Sequence, residues 1–275
     1  MKVNEVKEIA LKYLKNINNN EFEANLFIRD FFGLSLTDIH FNKEIECSQE
    51  EIDQFIELLN MRASGCPYNY IFKYKEFYNR RFYVDERVLI PRPETELLVE
   101  ECINYYKRKT IDRYLDLCTG SGCIGISLAS ELNIKSVTLA DISKDSLEVA
   151  KKNADIYNID ADFIESDLFS NIVGEFDLIT INPPYVPLKR KSILDKTVID
   201  YEPNLALFAE NDGLSVIKLF INEFDKHLKN DGLVFMEFDE SQGCAISELL
   251  DEKNINFKIH KDYSDMDRFV VTGGR

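Results

Sequence analysis

The chain has 275 residues, 45% of them hydrophobic, and a formal net charge of −16. That is enough apolar material for one large domain or two smaller ones, whereas the acidic balance opposes non-specific binding to phosphate backbones. No run of about eighteen apolar residues is present, so no membrane-spanning helix is expected, and the charged opening "MKVNEVKEIALKYLKN" does not read as a signal peptide.

Val6, Ile9, Ala10, Tyr13, Leu14 and Ile17 follow the three-and-four spacing of one helical face. Phe22 to Phe32 reads as a second helix, stopped near Gly33. Ser48 and Glu51 make a capping-box pair ahead of Ile52, Phe55, Ile56 and Leu59, the apolar face of a third helix that ends before Gly65 and Pro67. These elements predict a small helical domain over residues 1–72. Next comes "YKEFYNRRFYVDERVLIPRPETE", where aromatic and β-branched residues surround Asn79 and predict a hairpin or extended linker over 73–92. Its cations (Lys73, Lys75, Arg80, Arg81, Arg87 and Arg92) form either a solvated face or a docking surface. Pro91 and Pro93 stop regular structure, and from Glu94 the helical period returns.

From Arg113 strands and helices alternate. "RYLDLC", "SVTLAD", "ADFIES", "FDLITIN", "GLVFMEF", "NFKIHKDY" and "RFVVTG" read as strands. "GCIGISLASEL", "SKDSLEVAKKNADIYN", "DGLSVIKLFINEFDKHL" and "CAISELLDE" read as helices. This alternation predicts a doubly wound α/β sheet in a domain spanning 93–275. Six scattered cysteines (Cys47, Cys66, Cys102, Cys118, Cys123 and Cys244) form no C-x-x-C pair, and His40, His227 and His260 stand isolated. Reduced thiols, a cytoplasmic location and no metal site are therefore expected.

Two motifs carry the chemistry. In "LDLCTGSGCIG", Gly120, Gly122 and Gly125 match G-x-G-x-x-G between a strand and a helix. Asp141 closes the next strand about twenty residues on, where an acid can bind ribose hydroxyls. NAD(H) and S-adenosylmethionine are the main candidates for such a turn. Asp116, just before the glycines, favours the second: a carboxylate there can face a cationic amino-acid portion but would repel a pyrophosphate. Alternatively, it orients the loop backbone. The second motif is "NPPY". Asn182 ends a buried strand, and its side-chain carbonyl is a strong acceptor. Pro183, held extended by Pro184, keeps a carbonyl of fixed direction. Two preset acceptors suit a planar NH2 group, and Tyr185 can offer a flat face beside it or a π-face near a methyl sulfonium. The pattern orients a neutral amine-type nitrogen rather than supplying a strong base.

"DLCTGSG", "ADIS", "SDLF" and "NPPY" resemble the motifs of class I S-adenosylmethionine-dependent methyltransferases. More specifically, "VLIPRPETELLVE", "NPPYVP" and "YEPNLALFAENDGL" resemble the HemK/PrmC family of protein-(glutamine) methyltransferases. The resemblance implies a Rossmann-like seven-stranded sheet whose last strand is antiparallel, with a helical N-terminal domain and a hairpin linker. It implies methylation of the side-chain amide of the glutamine in the Gly-Gly-Gln loop of peptide chain release factors, and thus a role in translation termination. Asn182, Pro183, Pro184 and Tyr185 would then form the substrate site, with Asn182 also bordering the cofactor. Cys118, Thr119, Gly120, Ser121 and Gly122 would line the methionine portion, Asp141 would bind the ribose, and Asp167 with Leu168 would border the adenine. The N-terminal helices would grip the release factor away from its loop. The family usually has glycine where Cys118 stands, and often near Lys73 and Asn79; after Glu237 it favours isoleucine–glycine over Phe238–Asp239. An adenine-N6 methyltransferase of DNA or RNA is the alternative, disfavoured by the charge and by the lack of an evident nucleic-acid-binding domain. A dehydrogenase would leave N-P-P-Y unexplained.

Overall fold

The computed structural model describes residues 1–273. The chain divides into two compact units: Met1–Lys73 with Lys196–Tyr201, and Tyr74–Asp195 with the chain from Glu202 onward. Besides the helix over Lys196–Tyr201, the helices of the first unit are α1 (Val3–Tyr13), α2 (Asn20–Phe32), α3 (Leu36–His40), α4 (Gln49–Ala63) and α5 (Tyr68–Phe72). Val6 and Ala10 of α1, Phe27 and Ile28 of α2, and Ile52, Phe55 and Leu59 of α4 are buried, as the apolar spacing requires. The capping box forms: Glu51 N–H donates to Ser48 Oγ at 3.2 Å, and Ser48 N–H donates to Glu51 Oε2 at 2.7 Å. The short helices α3 and α5 are additions to the sequence reading. Ser35 and Asp38 cap α3 in the same manner.

The second unit opens with a hairpin, β1 (Tyr74–Phe77) and β2 (Arg80–Tyr83). Its two turn residues, Tyr78 (φ 45°) and Asn79 (φ 59°), are both left-handed. A two-residue hairpin turn of the primed type needs positive φ at both positions, which explains why glycine suits this place. Lys73, which ends α5, is also left-handed at φ 59°.

The remaining elements are α6 (Thr95–Tyr106), β3 (Thr110–Leu117), α7 (Cys123–Glu131), β4 (Asn133–Asp141), α8 (Lys144–Tyr157), β5 (Asp162–Glu165), β6 (Phe176–Ile181), β7 (Val186–Pro187), α9 (Lys196–Tyr201), α10 (Asn204–Leu207), β8 (Phe208–Ala209), α11 (Ser215–Glu223), β9 (Leu228–Glu237), α12 (Gly243–Glu252), β10 (Phe257–Lys261) and β11 (Asp267–Gly273). Seven strands form one sheet in the order β10-β11-β9-β6-β3-β4-β5. β11 runs antiparallel to both its neighbours, and the other pairings are parallel. Successive residues of the central strands serve opposite faces. Leu115, Ile179 and Val234 join a core with Ile217 and Phe220 of α11. Tyr114, Leu178 and Phe235 join another with Leu98 of α6 and Leu128 of α7.

Several boundaries shift from the sequence reading, most of all where α11 gives way to β9. The long helix expected from Asp212 stops at Glu223, and a 3-10 turn over Phe224–Lys226 leads into β9 at Leu228, ahead of Gly232. Leu228 pairs with Phe176, so strand pairing outweighs helical period there. The segment after N-P-P-Y carries a 3-10 turn (Leu188–Ile193), α9, α10 and a two-residue parallel pairing of β7 with β8.

Candidate active site at the carboxyl edge of the sheet

β3, β4 and β6 end side by side, and each delivers one predicted residue. β3 ends in the glycine turn. Asp116 there is fully buried, and its carboxylate accepts from Thr119 Oγ1 (2.6 Å), Thr180 Oγ1 (2.6 Å) and Gly125 N–H (3.2 Å). Burial pushes its pKa up to about 6 against these three donors. Asp141 ends β4 and accepts from Gly120 N–H and Ser143 N–H, both at 2.9 Å; burial raises its pKa as well. Gly122 N–H donates to the Thr119 carbonyl (2.8 Å) and Thr119 N–H to that of Ala140 (3.0 Å). The N–H groups of Thr119, Gly120, Gly122 and Gly125 are thus all taken within the chain.

Each glycine answers a different need. A Cβ on Gly125 would collide with the Leu139 side chain, so that glycine lets α7 lie close on the sheet. A Cβ on Gly122 (φ 78°) would stand 2.8 Å from Ile126. Gly120 (φ 54°) faces open space. Cys118 adopts φ 53°, a left-handed geometry that a glycine would take without strain. Burial and the neighbouring aspartates raise its thiol pKa, so it is a neutral group rather than a nucleophile.

β6 ends in N-P-P-Y. Asn182 is half-buried, and its Nδ2 donates to Thr95 Oγ1 at 3.4 Å. Tyr185 turns its hydroxyl inward, donating to Glu237 Oε1 at 3.0 Å, and burial raises its pKa. Its carbonyl accepts from Gln242 Nε2 at 3.0 Å. The same Nε2 donates to the Asp212 carbonyl (3.2 Å), and Gln242 Oε1 accepts from Asp239 N–H (3.0 Å). One buried glutamine therefore staples three loops. Gly213 (φ 84°) sits against the Tyr185 carbonyl, where a Cβ would clash.

A cleft of about 1050 Å³, open mouth included, joins these elements. Among the predicted residues, Cys118, Thr119, Gly120, Ser121, Asp141, Asp167, Leu168, Asn182 and Pro184 line it. Asp116, Gly122, Pro183 and Tyr185 are not part of its lining. For Asp116 the geometry matches the loop-orienting alternative. Sequence reasoning missed Thr95, Arg87, Arg92, Leu205 and Ala206 on the lining, and Glu237 and Gln242 behind it. Thr95 and Arg92 stand in "IPRPETE" and the apolar pair in "YEPNLALF", so these motifs were the available signal. Both arginines are engaged by acids: Arg87 with Asp85 at 2.7 Å, which holds the Asp85 carboxyl down at about 2, and Arg92 with buried Glu202 at 2.7 Å. Asp141 and Asp167 are left to give the cleft a negative character.

The family models match in two blocks: a PrmC N-terminal domain over residues 6–72 and a Methyltransferase small domain over 93–200. The chain is 41% identical over 265 residues to the release factor glutamine methyltransferase of Leptospira interrogans, covering 94% of this chain and 92% of that protein. The chain belongs to the release factor glutamine methyltransferase family. The Lactococcus lactis member is 38% identical, covering 95% of this chain and 97% of its own length. Among solved structures, a methyltransferase from Pyrococcus furiosus superposes with a TM-score of 0.54 at 17% identity, covering 73% of this chain and 92% of that one, and shares the fold.

Proposed function

We propose that the protein transfers the methyl group of S-adenosylmethionine to the side-chain amide nitrogen of the glutamine in the Gly-Gly-Gln loop of peptide chain release factors. The names of the family relatives support the substrate. The observation that carries the cofactor is the state of the glycine turn. The N–H groups of Thr119, Gly120, Gly122 and Gly125 are taken by Asp116, Asp141 and backbone carbonyls, so these four are not offered to a pyrophosphate. The open side of Gly120 and the carboxylates of Asp141 and Asp167 suit a cationic ligand with ribose hydroxyls. Cys118, Thr119, Gly120, Ser121 and Gly122 would hold the methionine portion, Asp141 the ribose, and Asp167 with Leu168 the adenine. Once bound, S-adenosylmethionine supplies an electrophilic methyl carbon.

The rest is done by this chain. An amide nitrogen is a poor nucleophile because its lone pair is delocalised. Asn182 Oδ1 and the Pro183 carbonyl accept its two N–H groups, which raises electron density on nitrogen and fixes its approach. Pro184 and Tyr185 support that turn, and the nitrogen's proton leaves after the new bond forms. The helical unit carrying the PrmC N-terminal match is assigned to gripping the release factor away from its loop. Free cysteines and this substrate support a cytoplasmic location.

The test is a methyl-transfer assay with a bacterial release factor, followed by peptide mass mapping. A single methyl on the Gly-Gly-Gln glutamine is expected; transfer to adenine in nucleic acid instead would overturn the reading. Asn182→Ala should cut methylation by about 100-fold or more while leaving cofactor affinity largely intact. Asp141→Ala should weaken cofactor binding first, measured by calorimetry.

A further inference from the structure

Asn153 lies on α8 with no exposed surface. Its side-chain amide is completely used. Nδ2 donates to the Ser121 carbonyl at 2.8 Å and to the Tyr83 carbonyl at 2.9 Å, and Oδ1 accepts from Tyr83 N–H at 2.7 Å. Turned the other way, the amide oxygen would face two carbonyls, so the partners fix its orientation. One side chain thus pairs with both backbone groups of Tyr83, as a neighbouring strand would, while reaching into the glycine turn. The same stripe of α8 grips the linker twice more. Tyr157, one helical turn on, donates its hydroxyl to the Arg81 carbonyl at 2.8 Å; Ser146, two turns back, donates to that of Arg87 at 3.1 Å. α8 also packs close on the glycine turn: a Cβ on Gly122 would stand 3.3 Å from that of Ala150. The linker held in this way runs on to Arg87, Leu89, Pro91 and Arg92 on the cleft lining, and Ser121 is on that lining too.

We propose that Asn153 is a positioning residue for the cofactor: it ties the linker to the glycine turn, so that S-adenosylmethionine enters a cleft whose linker wall and glycine turn are already set against each other. This rests on the methyltransferase reading above. It deepens that reading by assigning cofactor affinity to a buried amide that does not itself line the cleft. Without that amide, Tyr83 N–H and the carbonyls of Tyr83 and Ser121 each lose a partner inside the protein. The ligand must then order wall and turn from its own binding energy. The dependence is reciprocal: a ligand that needs wall and turn joined also holds them together. Cofactor binding should therefore quieten the linker at Tyr83, a residue that is not on the cleft lining.

Asn153→Asp keeps the shape and the acceptor for Tyr83 N–H but sets an oxygen against the Tyr83 and Ser121 carbonyls. By calorimetry, its S-adenosylmethionine dissociation constant should rise about 10- to 100-fold, whereas kcat at saturating cofactor should fall far less. Tyr157→Phe loosens the linker at Arg81 without touching the glycine turn, and it should lose much less affinity than Asn153→Asp. Hydrogen exchange at the Tyr83 amide reports the coupling itself. In the wild type, S-adenosylhomocysteine should slow it more than it slows the amides of β10 at the sheet edge. In Asn153→Asp, with the site saturated, that difference should vanish. An unchanged dissociation constant in Asn153→Asp would overturn the proposal, as would an equal loss of affinity in Tyr157→Phe. Should Asn153→Asp fail to fold, exchange at Tyr83 in the wild type decides the question. Failure of the wild type to bind S-adenosylmethionine would overturn the cofactor reading and this inference with it; binding without slower exchange at Tyr83 would overturn the inference alone.

Discussion

Asp116 sits one residue from the end of β3 with three donors aimed at it, yet burial raises its pKa from 3.8 to about 6. A raised pKa contributes stability that is full below 3.8 and is lost as pH rises through about 6. The shift is worth about 3 kcal/mol at roughly 1.4 per unit. Asp116→Asn cannot ionise, so wild type should lose about that much stability relative to the variant between pH 4 and 7. Denaturant melts at the two pH values measure this, and parallel curves would show that the carboxyl does not titrate there. The position of Asp116 was legible in the sequence, but its orientation was not. The deciding partner, Thr180, lies 64 residues away on β6. Thr95 and Glu237 were illegible for the same reason: their importance depends on strands and a helix meeting, not on local spacing. Asp141 was readable because its role follows from a strand end at a set distance from the glycines.

At the level of elements, the three glycines separate packing from binding. Gly125→Ala would push α7 off β4 through Leu139, and overpacking of this kind costs about 1–3 kcal/mol. A fall of several degrees in melting temperature is expected, with cofactor affinity lowered only as the turn distorts. Gly120→Ala meets no atom, so its cost is confined to left-handed strain of about 1–2 kcal/mol. Because its open side faces the cleft, it should weaken cofactor binding more than Gly125→Ala does, in calorimetric titrations of both variants. The βα alternation was legible because apolar runs and helical faces repeat cleanly from β3 onward. The stretch from Leu188 to Ala209 was not: its 3-10 turn, two short helices and two-residue strand are too brief for any period to develop.

For the molecule as a whole, a net charge of −16 makes an encounter with nucleic acid unfavourable at a distance. Fluorescence anisotropy should show no binding of mixed-sequence RNA or DNA at physiological salt, and micromolar affinity there would revive the adenine alternative. The fold class could be read because strands alternating with helices permit few architectures. Strand order could not be derived from residue pattern alone. Nothing in "NFKIHKDY" or "RFVVTG" says that the later strand enters the sheet first, and only family resemblance pointed to an antiparallel last strand.

That insertion has a consequence for how the chain is made. β11 lies between β9 and β10 although it is synthesised after both. A ribosome therefore delivers β9 with one edge open, then β10 with no neighbour to join, and only afterwards the strand that fills the gap. For that interval the nascent chain carries an unpaired edge on an otherwise complete run of parallel strands, the kind of surface that recruits the wrong partner. Closure of the sheet thus waits for β11 to emerge rather than keeping pace with each strand, and a pause in translation between β10 and β11 would prolong the exposure.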